Sequence, residues 1–272
     1  MVTMEQAYEI ETKQRQKFQI QWGNKPPAWF EEVDYNDAAH KYSCRDKIYV
    51  SATQLIEKFH KKFDKKEEAQ LYADKYGHTA EYWLNKWDTI TQTSLRRGNK
   101  IHNEKEEFLY GRGFDRIHGK DFLVQNLNLF PGHNYYQLPD GCYPELKLWR
   151  HDWRIAGRAD KPTIETIDGI RYMHIEDYKT NKIIRTEGFT ERDGTKRKML
   201  GPISHLEDCE LIHYTLQLSL YQYMGEYFGF RPGNRRIIHF QHEIEGLGTP
   251  SPKIIELPYL RNEIIMMLKY LN

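Results

Sequence analysis

An α/β fold, with a central mixed sheet flanked by helices and a helical elaboration toward the N-terminus, is predicted by three features of the sequence. From about Tyr143 to Thr180 the chain is rich in β-branched and aromatic residues and alternates in strand fashion. Before that block, from Lys65 to Trp87 and from about Thr89 to Tyr110, apolar residues recur at helical spacing without an intervening proline. After it, a leucine-rich run to about Phe228 reads as a further helix.

The N-terminal stretch to about Gln21 reads as a polar helix or arm, and Pro26-Pro27 punctuates the entry to a small hairpin expected between Trp29 and Val50. Ser51-Ala52-Thr53-Gln54 has the form of a capping box, because a serine can accept from the third helical amide while the glutamine returns to the serine amide. A helix is therefore expected there, carrying Leu55, Ile56 and Phe59 to the core. Gly111 and Gly113 should end the second of the long helical runs.

Within the β block, Leu146, Leu148, Trp149 and Trp153-Arg154-Ile155 suggest strands. A turn at Ile167-Asp168-Gly169-Ile170 leads into the strand Arg171 to Lys179, and together these make an antiparallel sheet. Arg185 to Gly201 is charged, glycine-bearing and aperiodic, as expected of a mobile loop or flap. Ser204-His205-Leu206-Glu207 has the form of a second capping box and should start the leucine-rich helix. Arg235 to Glu243 and Lys253 to Leu257 read as late strands, and Leu260 to Leu271 as a closing helix. With 272 residues the chain suits one large domain, in which residues 94–272 form the core and 1–93 the elaboration.

Composition narrows the function classes. No stretch is apolar enough to span a bilayer, and the first residues carry neither a basic start nor an apolar run, so a cytoplasm-like location without a membrane partner is expected. Three widely spaced cysteines without a CxxC pair argue against a disulfide framework, a zinc ribbon or an iron-sulfur cluster. There is no Walker A string, so no nucleotide cofactor is expected. A formal net charge of +1 announces no polyanion partner, and any such partner has to be argued from a local site.

That site begins in the strand ending at Lys179. Alternation puts Ile175, Asp177 and Lys179 on one face and His174, Glu176 and Tyr178 on the other. A carboxylate beside an ammonium suits metal-assisted hydrolysis, since the carboxylate is a hard ligand for Mg²⁺ or Mn²⁺ and the amine can handle water or offset phosphate charge. D-x-K strings are common as surface ion pairs, so the pair gains weight only from company. Asp160, ending Arg154 to Ala159, would bring a second carboxylate from the strand hairpinned against this one, and Glu145 a third acid from the strand before. His102 and Glu106 share a helical face one turn apart, where an imidazole could reach a metal and the glutamate support it. Gln217 and Tyr221 align likewise on the leucine-rich helix.

The ordered set of Gly98 and His102, Glu145, Gly157-Arg158 with Asp160, Asp177-Tyr178-Lys179, and Gln217 with Tyr221 resembles the RecB-like branch of the PD-(D/E)xK nuclease superfamily. The likeness extends over roughly Ser94 to Gly225. It implies a restriction-endonuclease-like core, phosphodiester hydrolysis in DNA, and one or two Mg²⁺ or Mn²⁺ ions held by His102, Asp160, Asp177 and the backbone carbonyl of Tyr178. It further implies that Lys179 orients or activates water, that Gln217 and Tyr221 contact the lysine or the substrate backbone, and that Glu145 is the upstream acid. Arg96, Arg97, Lys100, Arg158 and Lys182 are the expected nucleic-acid contacts. Tyr72, Tyr76, Tyr82, Trp83 and Trp87 could stack on unpaired bases or simply pack together. Single-stranded DNA or DNA ends, in recombination, repair or phage DNA metabolism and with replication or recombination proteins as further partners, is the preferred setting. RNA cleavage and an inert binding module on the same fold are the rival readings.

Overall fold

A computed structural model of the chain describes residues 32–271 apart from 37–38, 40, 118, 128–134, 136–137, 192 and 242–249. The expected N-terminal arm, the start of the first hairpin and the far end of the Arg235 to Glu243 strand lie outside the described residues. What is described is a mixed α/β architecture whose curled β structure forms two five-stranded sheets, plus a two-stranded ribbon.

The first sheet opens with an antiparallel meander, β1 (Asp34–Asn36), β2 (Lys41–Cys44) and β3 (Lys47–Ser51), in which Tyr42 pairs with Tyr49. It continues through β8 (Ile155–Ala159), parallel to β3, to β7 (Leu146–Arg150), antiparallel to β8. The second sheet has the order β12 (Lys253–Glu256), β11 (Arg231–His239), β10 (Ile170–Lys179), β9 (Lys161–Ile167), β6 (Gly141–Cys142). Here β10 is antiparallel to β9 but parallel to β11. The ribbon is β4 (Phe114–Ile117) with β5 (Lys120–Leu123).

The single antiparallel sheet expected over Tyr143 to Thr180 is thus corrected to two sheets joined by one strand. Only Asp160 separates β8 from β9, so the strand bends there and changes sheets. The Asp160 carbonyl accepts from the Glu145 amide at 2.9 Å, and the Pro162 carbonyl from the Tyr143 amide at 2.8 Å, so hydrogen bonding runs through the bend. Trp153 and Arg154, read as strand, form a turn in which Arg154 takes a left-handed φ of 48°.

Five α-helices are described. In α1 (Ala52–Glu57) the capping box forms as expected: Ser51 Oγ accepts from the Gln54 amide and Gln54 Oε1 from the Ser51 amide. Leu55, Ile56 and, just past the helix, Phe59 are buried. The two long helical runs break at a different place from the one expected. α2 (Lys65–Tyr76) stops at Gly77, with φ of 76°, and α3 (Ala80–Arg112) restarts on a Thr79 cap, so Asp88 lies inside a 33-residue helix. Periodicity runs straight through such a break, and only the glycine and the cap mark it. Gly113, left-handed, ends α3, while Gly111 stays helical.

The second expected capping box is also corrected. Ser204 closes a 3-10 turn at Gly201–Ile203, and α4 (Glu210–Tyr227) starts later, from Cys209. Glu207 instead accepts from the Gly188 amide at 2.8 Å and pairs with Lys198. Far from hanging free, the excursion after Arg185 is tied by backbone bonds from Arg197 to Phe189, Met199 to Leu206 and Leu200 to Phe59. α5 (Arg261–Leu271) closes the fold.

α4 lies against both sheets and against α1 and α5. Its Leu216, Leu218, Leu220 and Met224 are fully buried with Leu146, Leu148, Ile164, Met173, Ile175 and Ile237. Each such side chain stabilises by about 1.5–3 kcal/mol, which makes this helix the main clamp across the junction. Between α2 and α3, Tyr72 packs edge-on against Trp83 and Trp87, at ring separations of 5.3 and 5.2 Å. Those rings therefore glue a helical hairpin, although Tyr72, Tyr76 and Tyr82 all keep a substantial exposed surface. Among the described residues no helix is long and apolar enough to cross a membrane.

Candidate metal centre

The bend at Asp160 determines the site. The last β9–β10 pair is Lys161 with Glu176, so one step further along the two strands Asp160 comes opposite Asp177. Asp160 Oδ2 accepts from the Tyr178 amide at 2.8 Å, which ties the bend to β10. Asp177 is 1% exposed and pairs with the Lys179 ammonium, which also lies 4.7 Å from the centre of the Tyr214 ring. Two carboxylates and one amine from adjoining strands are thereby brought together.

α3 contributes His102. Its Nε2 stands 3.1 Å from the Tyr178 carbonyl oxygen and its Nδ1 3.3 Å from Asp160 Oδ2. A carbonyl can only accept, so Nε2 carries the proton and Nδ1 turns a lone pair toward the carboxylate. Two acceptors facing each other at that distance require a proton or a cation between them. The electrostatics agree. Burial first, then Asp177 and Glu145, push the Asp160 pKa well above the usual carboxylate value, against opposing effects of Lys179 and the Tyr178 amide. Burial lowers the His102 pKa and outweighs Asp177, leaving the neutral imidazole that a metal needs. Burial also works against the Lys179 ammonium, but Asp177 and Asp160 overcome it and raise its pKa.

Glu145 completes the acidic rim. It sits at a left-handed φ of 57°, a costly conformation for a residue with a Cβ, held by the hydrogen bond its backbone N–H donates to the Asp160 carbonyl. Its carboxylate lies 2.6 Å from Arg158 Nε. His102, Glu145 and Asp160 each offer one ligand atom, all within 4.8 Å of one another. Glu106, expected to support His102, is not in that trio; its charge acts on Tyr110, whose pKa burial and Glu106 push up to about 12.

On α4, Gln217 Nε2 donates to the Tyr221 hydroxyl at 3.0 Å, so the expected pair forms. Tyr221 is buried, and burial followed by Asp177 keeps it a neutral phenol. Gly157 makes room for it: a Cβ there would stand 2.4 Å from Tyr221 Cε1. Gly98 has no comparable role, since a Cβ would meet only Thr180 Oγ1 at 3.7 Å.

The five expected nucleic-acid contacts divide. Arg96 and Lys182 are exposed, and Lys100 pairs loosely with Glu104 at 3.7 Å. Arg97 donates to the Phe240 and Gln241 carbonyls, and Arg158 serves Glu145 and lies over the Tyr35 ring at 4.8 Å, so both are held within the fold. Tyr214 and Asn181 belong to the site without forming a motif in the sequence. The Tyr214 hydroxyl donates to Asn181 Oδ1 at 2.6 Å while His239 Nε2 bonds the Asn181 carbonyl at 2.6 Å, bracing the chain just beyond Lys179. The only signal was that Tyr214 lies three residues before Gln217 on the same helix.

A scan against protein-family models finds no match, and a search of curated protein sequences finds none.

Proposed function

We propose that this chain is a divalent-metal-dependent nuclease of the PD-(D/E)xK superfamily, RecB-like branch, built on a restriction-endonuclease-like core and hydrolysing phosphodiester bonds in DNA. The observation that carries the reading is the convergence of Asp160, from the bent strand, with Asp177 and Lys179 of β10 and His102 of α3. Hard oxygen and imidazole donors in this number suit Mg²⁺ or Mn²⁺, and the facing lone pairs of His102 and Asp160 favour a cation there. His102, Asp160, Asp177, Glu145 and the Tyr178 carbonyl are the groups available to hold it.

When bound, such a cation supplies Lewis-acid stabilisation of charge on the phosphate and acidifies bound water. Lys179 offers N–H donors at the same place, held by Asp177 and the Tyr214 ring, to bind a phosphate oxygen or position water. Gln217 and Tyr221 fix the α4 wall without adding charge. Of the five expected contacts Arg96, Lys100 and Lys182 are those the fold leaves available to the polyanion, and single-stranded DNA or DNA ends remain the preferred substrate. The test is degradation of end-labelled linear, circular and single-stranded DNA with Mg²⁺, Mn²⁺ or chelator. Cleavage should need the metal, spare circular duplex, and drop about 10²- to 10³-fold in Lys179→Ala, the loss typical when a preorganised donor is removed. Equal cleavage by the variant would refute the mechanism.

A further inference from the structure

A cavity of about 210 Å³ lies between the segment after α1, the excursion after β10 and the first turn of α4. It is linked to the metal centre through α4, where the lining residue His213 is followed by Tyr214, the ring beneath the Lys179 ammonium. Gln217 and Tyr221 follow His213 at successive turns. The volume is below the roughly 300–1,000 Å³ of drug-sized sites, so it admits one small planar group.

Its chemistry is distinctive. Lys61, Arg185 and Arg197 are balanced by Glu187, Asp208 and Glu210, which disfavours an anion and suits a neutral ligand with both donors and acceptors. Arg185 gives one nitrogen to Glu210, at 2.9 Å, and is otherwise well exposed. Two phenylalanines, Phe63 and Phe189, line the cavity while 54% and 62% exposed, and the Phe63 ring also meets Trp87 edge-on at 5.7 Å. Arg197 lies over Phe189 at 5.1 Å, and the His60 and His213 rings are 5.5 Å apart. Aromatic surface with paired donors and acceptors is how proteins take an unpaired nucleobase.

We infer that this cavity receives one unpaired nucleobase of the strand whose phosphodiester lies at Asp160, Asp177 and Lys179, an assignment that rests on the nuclease reading. The probe is a short fluorescein-labelled oligothymidylate, bound in Ca²⁺ and cleaved in Mg²⁺ by the full chain. Removing a stacking ring weakens single-strand binding about 5- to 150-fold, so Phe189→Ala and Phe63→Ala should raise Kd and KM in that range with kcat little changed. Phe189→Trp should restore binding. An abasic residue walked along the probe should weaken wild-type binding at one position and have no such position in Phe189→Ala. Unchanged Kd and KM in both alanine variants, a loss confined to kcat, an abasic scan without a preferred position, or no binding of the probe by the wild type would each overturn the assignment. Cleavage surviving in Lys179→Ala would instead strike the nuclease reading, and the binding comparison separates the two failures.

Discussion

The two faces of β10 are both buried and both charged, yet they are put together on different terms. On one face Glu176 contacts Lys161 and Arg236, Asp115 contacts Lys161, and Glu165 contacts Lys120 and His174. Every carboxylate there touches a cation. The hydrogen bond from Lys120 leads in lowering the Glu165 pKa, and Glu176 and Asp115 overcome burial to raise that of Lys161. On the other face Asp177 has Lys179 and Glu145 has Arg158, but among the described residues Asp160 contacts no ammonium or guanidinium, only a backbone amide and an imidazole. A buried carboxylate without a cation is costly, and folds keep one where something else will meet it. The first face is complete as folded; the second has an acid to spare.

Substitutions can break this contrast. The largest effect is expected from Lys161→Met, which keeps the volume and leaves Asp115 and one side of Glu176 without a cation. Stability should fall by about 3–5 kcal/mol, or roughly 10 °C in melting temperature, with residual activity per folded molecule unchanged. A mild loss would mean that this face is less interlocked than its contacts imply.

Gly157→Ala should come next. The added methyl meets the Tyr221 ring, so overpacking of about 1–3 kcal/mol is expected together with a fall in activity as the α4 wall shifts. Thermal melting and initial rates measured side by side would show whether both move. Activity unaffected by the displaced ring would remove Tyr221 from the site.

The smallest and most discriminating change is Asp160→Asn in metal-free protein. The folded pKa of Asp160 is raised, so its proton binds more tightly in the folded chain. The matching stability is present below the ordinary carboxylate pKa and lost as pH rises through the folded value. At neutral pH the variant should melt higher by about 3–6 °C, and the advantage should vanish in acid. Added Mg²⁺ or Mn²⁺ should raise the melting point of the wild type and leave the variant unmoved. A variant that melts lower than the wild type at neutral pH would show that Asp160 is already satisfied by the fold.

Legibility in the sequence followed the range of the interactions concerned. The Asp177 and Lys179 pairing on one strand face, the Ser51 cap of α1, the turn at Asp168-Gly169 and the Gln217 to Tyr221 step on α4 all depend on neighbours within four residues, and each formed where it was expected. Failures came where a local pattern had a distant competitor. Ser204 had the right neighbours for a cap, yet the 3-10 turn used it and Glu207 was drawn to Gly188. Helical spacing ran through Gly77, and Glu106 had the spacing to serve His102 yet lies outside the group that His102 forms with Glu145 and Asp160.

By itself, then, the sequence determined the α/β class, most of the elements and the side of β10 on which its acid and amine would lie, because dihedral preference and side-chain alternation are properties of adjacent residues. Only the tertiary structure decided that one strand would bend at Asp160 and serve two sheets, that α3 would bring His102 to the bend, and that Glu145 would reach it from a strained turn. Those outcomes depend on which surfaces lose water together, and burial of that kind is settled by the whole chain at once.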